Sequence, residues 1–528
     1  MATVIGTFEN ESLIGTAFGD DISGDSATGL SGSERGGDDR IFGLAGDDFL
    51  YGEAAGSMFD NSRGGDDRLV GGDGRNQLFG DVGYVRGLFP FAGGDMFGTA
   101  RGGDDVLIGG SAGDPFGLFG GDILIGDAAR LFGNTRGGDD RLFAGEGGHA
   151  DILVGDANDL FGNARGGDDL LVGGGNFDVL DGDGNLRGNA QGGDDRLFGL
   201  IGRDFLRGDG AFMLDSSRGG DDRLDGGDGD DDVFGDSGVS EGTARGGDDH
   251  VEGGAGNDVL GGDGGQFMRD SSMGGNDWLD GGDGNDALTG EGDFMLDDTR
   301  GGDDRLFGRA GNDALSGDAF TLSGAAQGGD DRLDGGTGND ALWGDAQSIE
   351  VLLAFPHPGV VRAGDDRLVG GGGDDLLYGD AQSILANARL GDDELFGGTG
   401  NDRLYGDAET AGAAAANALA GDDRLFGGAG DDTLYGDTQH GSFGAGGDDK
   451  LFGGAGSDFL AGGRGDDLIA GGAGVDTAGF DGLLAAFSVE QSGAGFTVTE
   501  IGTGDTDFVT NVEFFQFTDV VLDPWLIA

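Results

Sequence analysis

The sequence predicts an all-β fold, a parallel β-roll or β-helix solenoid, and three observations predict it. A Gly/Asp-rich nonapeptide, GGxGxDxLx, recurs in variants from Gly36 almost to Asp476. Its copies keep register over hundreds of residues. They also group into a longer period of about 27 residues, three nonapeptides at a time. A clean copy reads Gly427-Gly428-Ala429-Gly430-Asp431-Asp432-Thr433-Leu434-Tyr435. Its glycines permit tight turns and its leucine can enter a thin core, which is the pattern of a repeat wound into coils.

The longer period sets the coil. Counting the Asp two residues before the core aliphatic gives Asp195, Asp222, Asp249, Asp277, Asp304 and Asp331, at steps of 27, 27, 28, 27 and 27. Each unit holds two regular nonapeptides and one divergent one. In one unit the regular pair is Gly301 to Leu306 and Gly311 to Leu315, and the divergent third runs from Gly317-Asp318-Ala319 to Ala326-Gln327. Two nonapeptides suffice for a coil of two short strands and two turns, so the third is expected to be an excursion at one edge. Its variable length agrees: Asp67 to Asp105 spans 38 residues and Asp331 to Asp366 spans 35, and loops absorb insertions that strands do not. Several excursions read Gly-Asp-Ala-x-x-Leu-Phe-x-x-Ala-Arg, as in Gly126 to Arg136 and Gly155 to Arg165. There Asp127 or Asp156 is expected to cap a single helical turn.

After Asp449 the excursions stop, and Asp458, Asp467 and Asp476 follow at nine-residue steps. From about Thr477 the repeat gives way to alternating segments such as Phe496-Thr497-Val498-Thr499 and Phe514-Phe515-Gln516-Phe517, which read as strands. A solenoid needs a terminal segment of different composition to close its open end. The expected domains are therefore an N-terminal strand or cap over 1–34, a cation-binding roll with edge excursions over 35–476, and a small β-rich cap over 477–528.

Composition bounds the partners. The chain has 528 residues, 127 of them Gly, five Pro and no Cys, with a formal charge of -71 from 101 acidic and 30 basic residues. Glycine at this level without a Gly-X-Y period excludes collagen, and the strict register argues against simple disorder. Lys450 is the only lysine. So acidic a chain repels nucleic acid and anionic membrane, and without counter-ions its carboxylates would oppose a compact state. The first residues, Met1 to Glu11, lack the basic and apolar regions of a cleavable signal peptide, and no apolar run of 18 residues exists to span a bilayer as a helix.

The cation follows from the ligands. Calcium prefers six to eight oxygens, from carboxylates and backbone carbonyls, at flexible geometry. The Gly-rich turn presents carbonyls, the Asp at position six adds a carboxylate, and the next coil completes the cage, so that stacking and metal binding are one event. Gly-Asp pairs also make ordinary turns, but random turn chemistry would not recur in register so often. In the first nonapeptides the candidate ligands are Asp39, Asp67, Asp105, Asp140, Asp169, Asp195, Asp222, Asp249, Asp277, Asp304, Asp331, Asp366, Asp393, Asp423, Asp449 and Asp467. In the second they are Asp48, Asp151, Asp178, Asp204, Asp231, Asp258, Asp286, Asp313, Asp340, Asp375, Asp402, Asp432, Asp458 and Asp476. Roughly thirty ions at +2 would offset about 60 of the 71 negative charges, which makes the charge look like a ligand inventory.

Other positions read structurally. Leu69, Leu142, Leu197, Leu306, Leu368 and Leu425 at position eight should point inward as a ladder. Position nine is often aromatic, as Phe42, Phe143, Phe198, Phe307, Phe396 and Phe426 in the first strand and Tyr51, Trp343, Tyr378, Tyr405 and Tyr435 in the second. Alternation places these on the outer face, either as an adhesive stripe or under apolar excursion residues such as Leu131-Phe132, Phe212-Met213-Leu214 and Phe294-Met295-Leu296. Arg precedes the double glycine at Arg35, Arg63, Arg101, Arg136, Arg165, Arg218, Arg245 and Arg300. Excursion carboxylates such as Asp127 or Asp156 are the expected partners of these stacked charges.

These repeats resemble those of the RTX (repeats-in-toxin, hemolysin-type calcium-binding) proteins of Gram-negative bacteria. The segment Gly474 to Leu522 is also similar to a common C-terminal module of that family, through Asn511-Val512-Glu513-Phe514-Phe515-Gln516-Phe517-Thr518-Asp519. The resemblance implies a β-roll exported by a type I secretion machinery through an uncleaved C-terminal signal, to the cell surface or beyond. No Lys or Arg follows Arg464, in keeping with such a signal. It also implies a compartment switch, since cytosolic calcium is too low for sites of the extracellular class, about 10⁻⁴–10⁻³ M. The regular 27-residue superperiod departs from ordinary rolls of the family.

An enzyme is not expected. His149, His250, His357 and His440 are scattered in no ligand-spaced pair, and no Gly-x-Ser-x-Gly elbow, zinc-protease motif or Cys nucleophile occurs. Apolar helices and acylated lysines for a pore, or Thr ladders for ice binding, are likewise missing. The expected function is a non-enzymatic secreted structural protein that folds on extracellular calcium and self-associates head-to-tail into a surface layer, matrix fibre or filament. The alternatives are a monomeric calcium-dependent adhesin or binding module, with contacts around Tyr84 to Phe91 and Ile349 to Val361, and a passive calcium buffer.

Overall fold

Three short parallel strands per coil build the chain, stacked so that like positions of successive repeats sit side by side. The computed structural model describes residues 2–83, 94–110, 121–145, 150–350, 359–441 and 443–526. Tyr84 to Phe91, residues 351–358, His149 and His357 lie outside the described residues. The chain forms two compact units, residues 1–266 with 272–278, and residues 267–271 with 279–528.

In the first unit one coil runs through Arg141–Phe143, Ile152–Val154 and Ala157–Gly162. These pair in parallel with Leu170–Val172, Val179–Asp181 and Asn185–Gly188 of the next coil, in three separate sheets. The second unit repeats the arrangement. Arg305–Ala310, Ala314–Ser316 and Ala319–Leu322 pair with Arg332–Thr337, Ala341–Trp343 and Ala346–Ile349. No α-helix occurs among the described residues, only three short 3₁₀ turns.

The position-eight ladder lies where the period-two pattern puts it. Leu69, Leu142, Leu197, Leu306, Leu368 and Leu425 are each 0% exposed and stack between the first and second sheets. The first strand buries a single large side chain, with glycine at its other inward position where it is six residues long, so this ladder is one aliphatic residue thick. Truncation therefore cannot be absorbed by neighbours. Leu306→Ala should cost about 2–5 kcal/mol, read as a raised calcium midpoint of folding.

The divergent third nonapeptide is not a loose excursion. It is a third strand with a core of its own. Leu131, Leu160, Leu186 and Met213 pair in register and are fully buried with Ala128, Ala157, Ala164 and Ala190. Small alanines let the chain turn back on itself around a single apolar column. Consequently Asp127 and Asp156 cap no helical turn, because Ala128–Gly133 and Ala157–Gly162 are strands. Nor do the apolar residues of this segment all fold over the aromatic stripe. Leu131, Met213 and Met295 enter the third core. Phe132 stacks between Phe97 and Phe161 at centroid distances of 5.1 and 4.8 Å.

The second-strand aromatics are covered all the same. Tyr51, Tyr378 and Tyr405 are 1–3% exposed, and Tyr378 and Tyr405 donate hydroxyl hydrogen bonds to Glu409 Oε2 and Gln439 Oε1 of the third-strand segments. The first-strand column stays half-exposed, with Phe396, Phe426 and Phe452 stacked at 4.8 and 5.0 Å.

Beyond Lys450 the coil shortens to two strands. Lys450–Gly456 pairs with Leu468–Gly474, and Phe459–Ala461 with Thr477–Gly479. Antiparallel pairing then begins, with Phe487–Ser492, Gly495–Glu500 and Thr506–Thr510 forming a meander whose last strand lies parallel to Leu468–Gly474. Phe514–Gln516 adds to Thr477–Gly479.

Most coils place glycine at the turn between first and second strands, where the backbone takes a positive φ, although Asn176 holds the place in one. Gly430 has φ +139°, and a Cβ there would lie 1.5 Å from the Gly400 carbonyl oxygen of the preceding coil. Gly430→Ala adds about 1–2 kcal/mol of left-handed strain to that overlap, so separation of the two coils is expected, seen as local amide exchange.

Candidate metal centre

Each coil carries its carboxylates inward at the turns, and the coil stacking aligns them in rows. All thirty aspartates selected from the nonapeptides are buried, none more than 4% exposed. They fall into two rows. In the first, each backbone N–H donates to the next coil's Asp Oδ1, as in Asp140 to Asp169 at 2.6 Å, Asp195 to Asp222 at 2.7 Å and Asp366 to Asp393 at 2.8 Å. The second row repeats the geometry, with Asp178 to Asp204 at 2.7 Å and Asp313 to Asp340 at 2.9 Å. Asn76 occupies one rung of the second row, donating to Asp122.

One carboxylate oxygen is thus spent on the ladder and the other is not. Asp140, Asp195, Asp222, Asp204, Asp313 and Asp340 each keep a buried Oδ2 with no hydrogen-bond partner. The space around those oxygens is held open by glycine. A Cβ on Gly126 would lie 1.9 Å from Asp140 Oδ2, and one on Gly308 would lie 2.5 Å from Asp313 Oδ2. An anionic oxygen without a partner in a dry site is costly unless a cation meets it. Burial accordingly pushes the second-row carboxyls up, Asp48 and Asp375 to about 6, Asp204, Asp313 and Asp402 to about 7, with backbone N–H donors opposing. Most first-row groups are also raised well above the ordinary carboxylate value. Asp222 is raised by burial first and then by the charge of Asp209, and Asp249 by burial and then by Asp222.

A third row was not selected by the nonapeptide at all. Where the chain leaves the second strand, Gly-Asp-Ala or a variant brings in Asp25, Glu53, Asp81, Asp127, Asp156, Asp183, Asp209, Asp236, Asp263, Glu291, Asp318, Asp345, Asp380, Asp407 and Asp437, all buried. These reach across to the point where the chain re-enters the first strand. Gly138 N–H donates to Asp127 Oδ2 at 3.1 Å and Gly167 N–H to Asp156 Oδ2 at 3.0 Å. The third strand therefore hangs on a narrow neck, with first-row and third-row carboxylates inside it. Oxygens of Asp209, Asp222 and Asp236 lie within 4.8 Å of one another, and so do those of Asp236, Asp249 and Asp263. The signal was present in the sequence, since every three-stranded unit carries Asp or Glu at this place. In sequence alone it reads as a cap or an arginine partner.

The arginine pairing does not form. Asp127 and Asp156 turn into the neck, whereas Arg35, Arg63, Arg101, Arg136 and Arg165 stack as exposed β-bridges on the surface. Two further rungs come from the C-terminal segment. Asp467 N–H donates to Asp507 Oδ1 at 3.2 Å, and Asp476 N–H to Glu513 Oε2 at 2.8 Å. Histidine takes no part in the acidic clusters found among the described residues, and His250 stacks on Trp278 at 4.1 Å.

A sequence model of the RTX calcium-binding nonapeptide repeat matches twelve segments, residues 35–55, 62–84, 189–211, 217–239, 243–266, 272–294, 298–320, 325–348, 361–383, 387–409, 410–442 and 443–478. The chain belongs to the RTX calcium-binding repeat family. No curated protein matches it in sequence. The RTX repeats account for what the rows need: hard oxygen donors only, partnerless buried carboxylates, and glycine turns that leave room beside them, a set that fits calcium. Calcium binding is thus the property the RTX repeats supply. No helix among the described residues is long and apolar enough to cross a membrane.

Proposed function

We propose that the chain is a non-enzymatic secreted structural protein whose roll forms around calcium ions outside the cell and then self-associates. One observation carries the reading: rows of buried aspartates, aligned coil upon coil, in which Asp140, Asp195, Asp222, Asp204, Asp313 and Asp340 keep an oxygen without a hydrogen-bond partner. First-row and second-row aspartates from adjacent coils, with the turn carbonyls, would hold roughly thirty ions. Bound calcium supplies fixed positive charge inside the roll. The residues do the rest. The Asp Oδ1 atoms lock coil to coil, the Oδ2 atoms would hold the ion, and the leucine ladder excludes water. Segment 35–476 is the calcium-binding part in this reading, 1–34 an opening cap, and 477–528 a closing cap bearing the signal for a type I secretion machinery.

Two features favour head-to-tail assembly. The opening coil exposes apolar side chains, Ile5 at 49%, Phe8 at 48% and Ile14 at 60%, along strands Thr3–Ile5 and Ser12–Ile14. The C-terminal segment exposes Val521, Trp525 and Leu526. A heterologous contact between these two apolar surfaces leaves one of each free on the resulting pair, so further copies can add. Sedimentation with negative-stain imaging at millimolar calcium should show fibres or sheets. Separate monomers under those conditions would transfer the weight to a calcium-dependent adhesin. That second reading rests on a surface groove of about 540 Å³, lined by Arg101, Arg136 and Arg165 beside Asn134, Asn163 and Asn189.

A further inference from the structure

The neck differs from the turn between first and second strands in its charge. At that turn each coil contributes one buried carboxylate from the second row. At the neck it contributes two, a first-row Asp and a Gly-Asp-Ala carboxylate, and these interleave. Asp209 and Asp236 belong to successive coils, and Asp222 stands between them. All three are at most 2% exposed. Both oxygens of Asp209, Oδ2 of Asp222 and Oδ1 of Asp236 are buried without a hydrogen-bond partner. No arginine or lysine approaches this group in any ion pair formed by described residues. Yet a Cβ on Gly219 would lie 1.7 Å from Asp236 Oδ1 and 2.7 Å from Asp209 Oδ2, so the backbone is kept bare where the carboxylates converge.

We propose that the neck is a separate row of divalent-cation sites, each built from three carboxylates that include the Gly-Asp-Ala position, and that these ions fasten the third sheet to the roll. The inference rests on the calcium reading and adds ligands that the nonapeptide does not contain. Two carboxylates per coil carry −2, which one divalent ion per coil neutralises; a monovalent ion would leave half the charge buried. The sequence of this chain follows the same logic. The position is always Asp or Glu where a third strand exists. It is lost at Gly462-Gly463-Arg464, where the coil shortens to two strands. At that end the last carboxylate, Asp437, accepts the Arg464 N–H at 2.7 Å, and the arginine charge stands beside it where the cation row stops.

Asp236 serves two such groups, so Asp236→Asn in the full chain is the test. Equilibrium dialysis against calcium should show about two fewer bound ions per chain than the parent. Limited proteolysis should cut at Ser237–Ser240 while neighbouring coils stay protected. Asp236→Glu should restore both readouts, since Glu53 and Glu291 already occupy this row. An unchanged ion count in Asp236→Asn overturns the proposal. Should that variant fail to fold, anomalous scattering from crystals of the parent chain grown in manganese decides. Density among Asp209, Asp222 and Asp236 upholds the neck row, and ions confined to the Asp204 and Asp231 turn overturn it. A parent chain binding no divalent ion in dialysis overturns this inference together with the calcium reading beneath it.

Discussion

Chelation of calcium is expected to abolish the β-signal of this chain, not merely lower its melting temperature. The magnitude follows from site number. A ligand at tenfold its dissociation constant stabilises a site by about 1.4 kcal/mol, so roughly thirty sites contribute on the order of 40 kcal/mol. Net domain stability is about 5–15 kcal/mol. Removing the ions therefore reverses the sign of folding. The core cannot compensate, because each coil buries only a few large side chains, and glycine-rich backbone is costly to order. Far-UV circular dichroism in excess chelator should give a coil spectrum, and restoring millimolar calcium should return the β-spectrum. Under the secreted function proposed above, the same reversal would keep the chain unfolded until it meets calcium.

Acid should partly replace calcium, and this is the second large effect. The carboxyls of the rows sit above their ordinary 3.8 in the fold: Asp39 and Asp48 at about 6, Asp151, Asp204 and Asp402 at about 7. The cause in each is burial, opposed by backbone N–H donors. A folded pKa above the unfolded one means that the fold binds the extra protons. The contribution is complete below about 3.8 and is lost as pH rises through 6 and 7. In chelator, β-structure should appear as pH falls from 7 towards 4 and vanish on neutralisation. In calcium the dependence should run the other way, with affinity weakening below about pH 6 as protons compete for the same oxygens. A calcium-free chain that stayed unfolded at pH 4 would show that charge on these carboxylates is not what opposes folding.

Much of this was legible in the sequence, for physical reasons that particular residues show. Leu306 and Leu142 announce an inward ladder because a strand alternates with period two, and a strict repeat leaves one register. Asp195, Asp222 and Asp249 announce a shared row because a strict repeat returns them to the same turn of successive coils, where each backbone N–H donates to the next carboxylate. The third strand was hidden because its signal is thin. Ala157-Asn158-Asp159-Leu160-Phe161 carries a single large inward residue, and its alanine favours helix as readily as strand. Asp127 and Asp156 were hidden by the same segment. Beside Arg136 and Arg165 in sequence they look like ion-pair partners, and only the re-entry of the chain at Gly137-Gly138 brings them to Asp140 and Asp169 instead. Sequence spacing shows which residues share a row. It does not show which rows a neck brings together.

The most direct test of the account is a calcium titration of the intact chain in which bound ions and β-structure are followed on the same samples, by equilibrium dialysis and circular dichroism. The account predicts that the two rise together over one calcium range and that binding saturates at a number on the order of thirty ions. A chain already folded in chelator, or one that takes up its ions without any gain in β-structure, would contradict it.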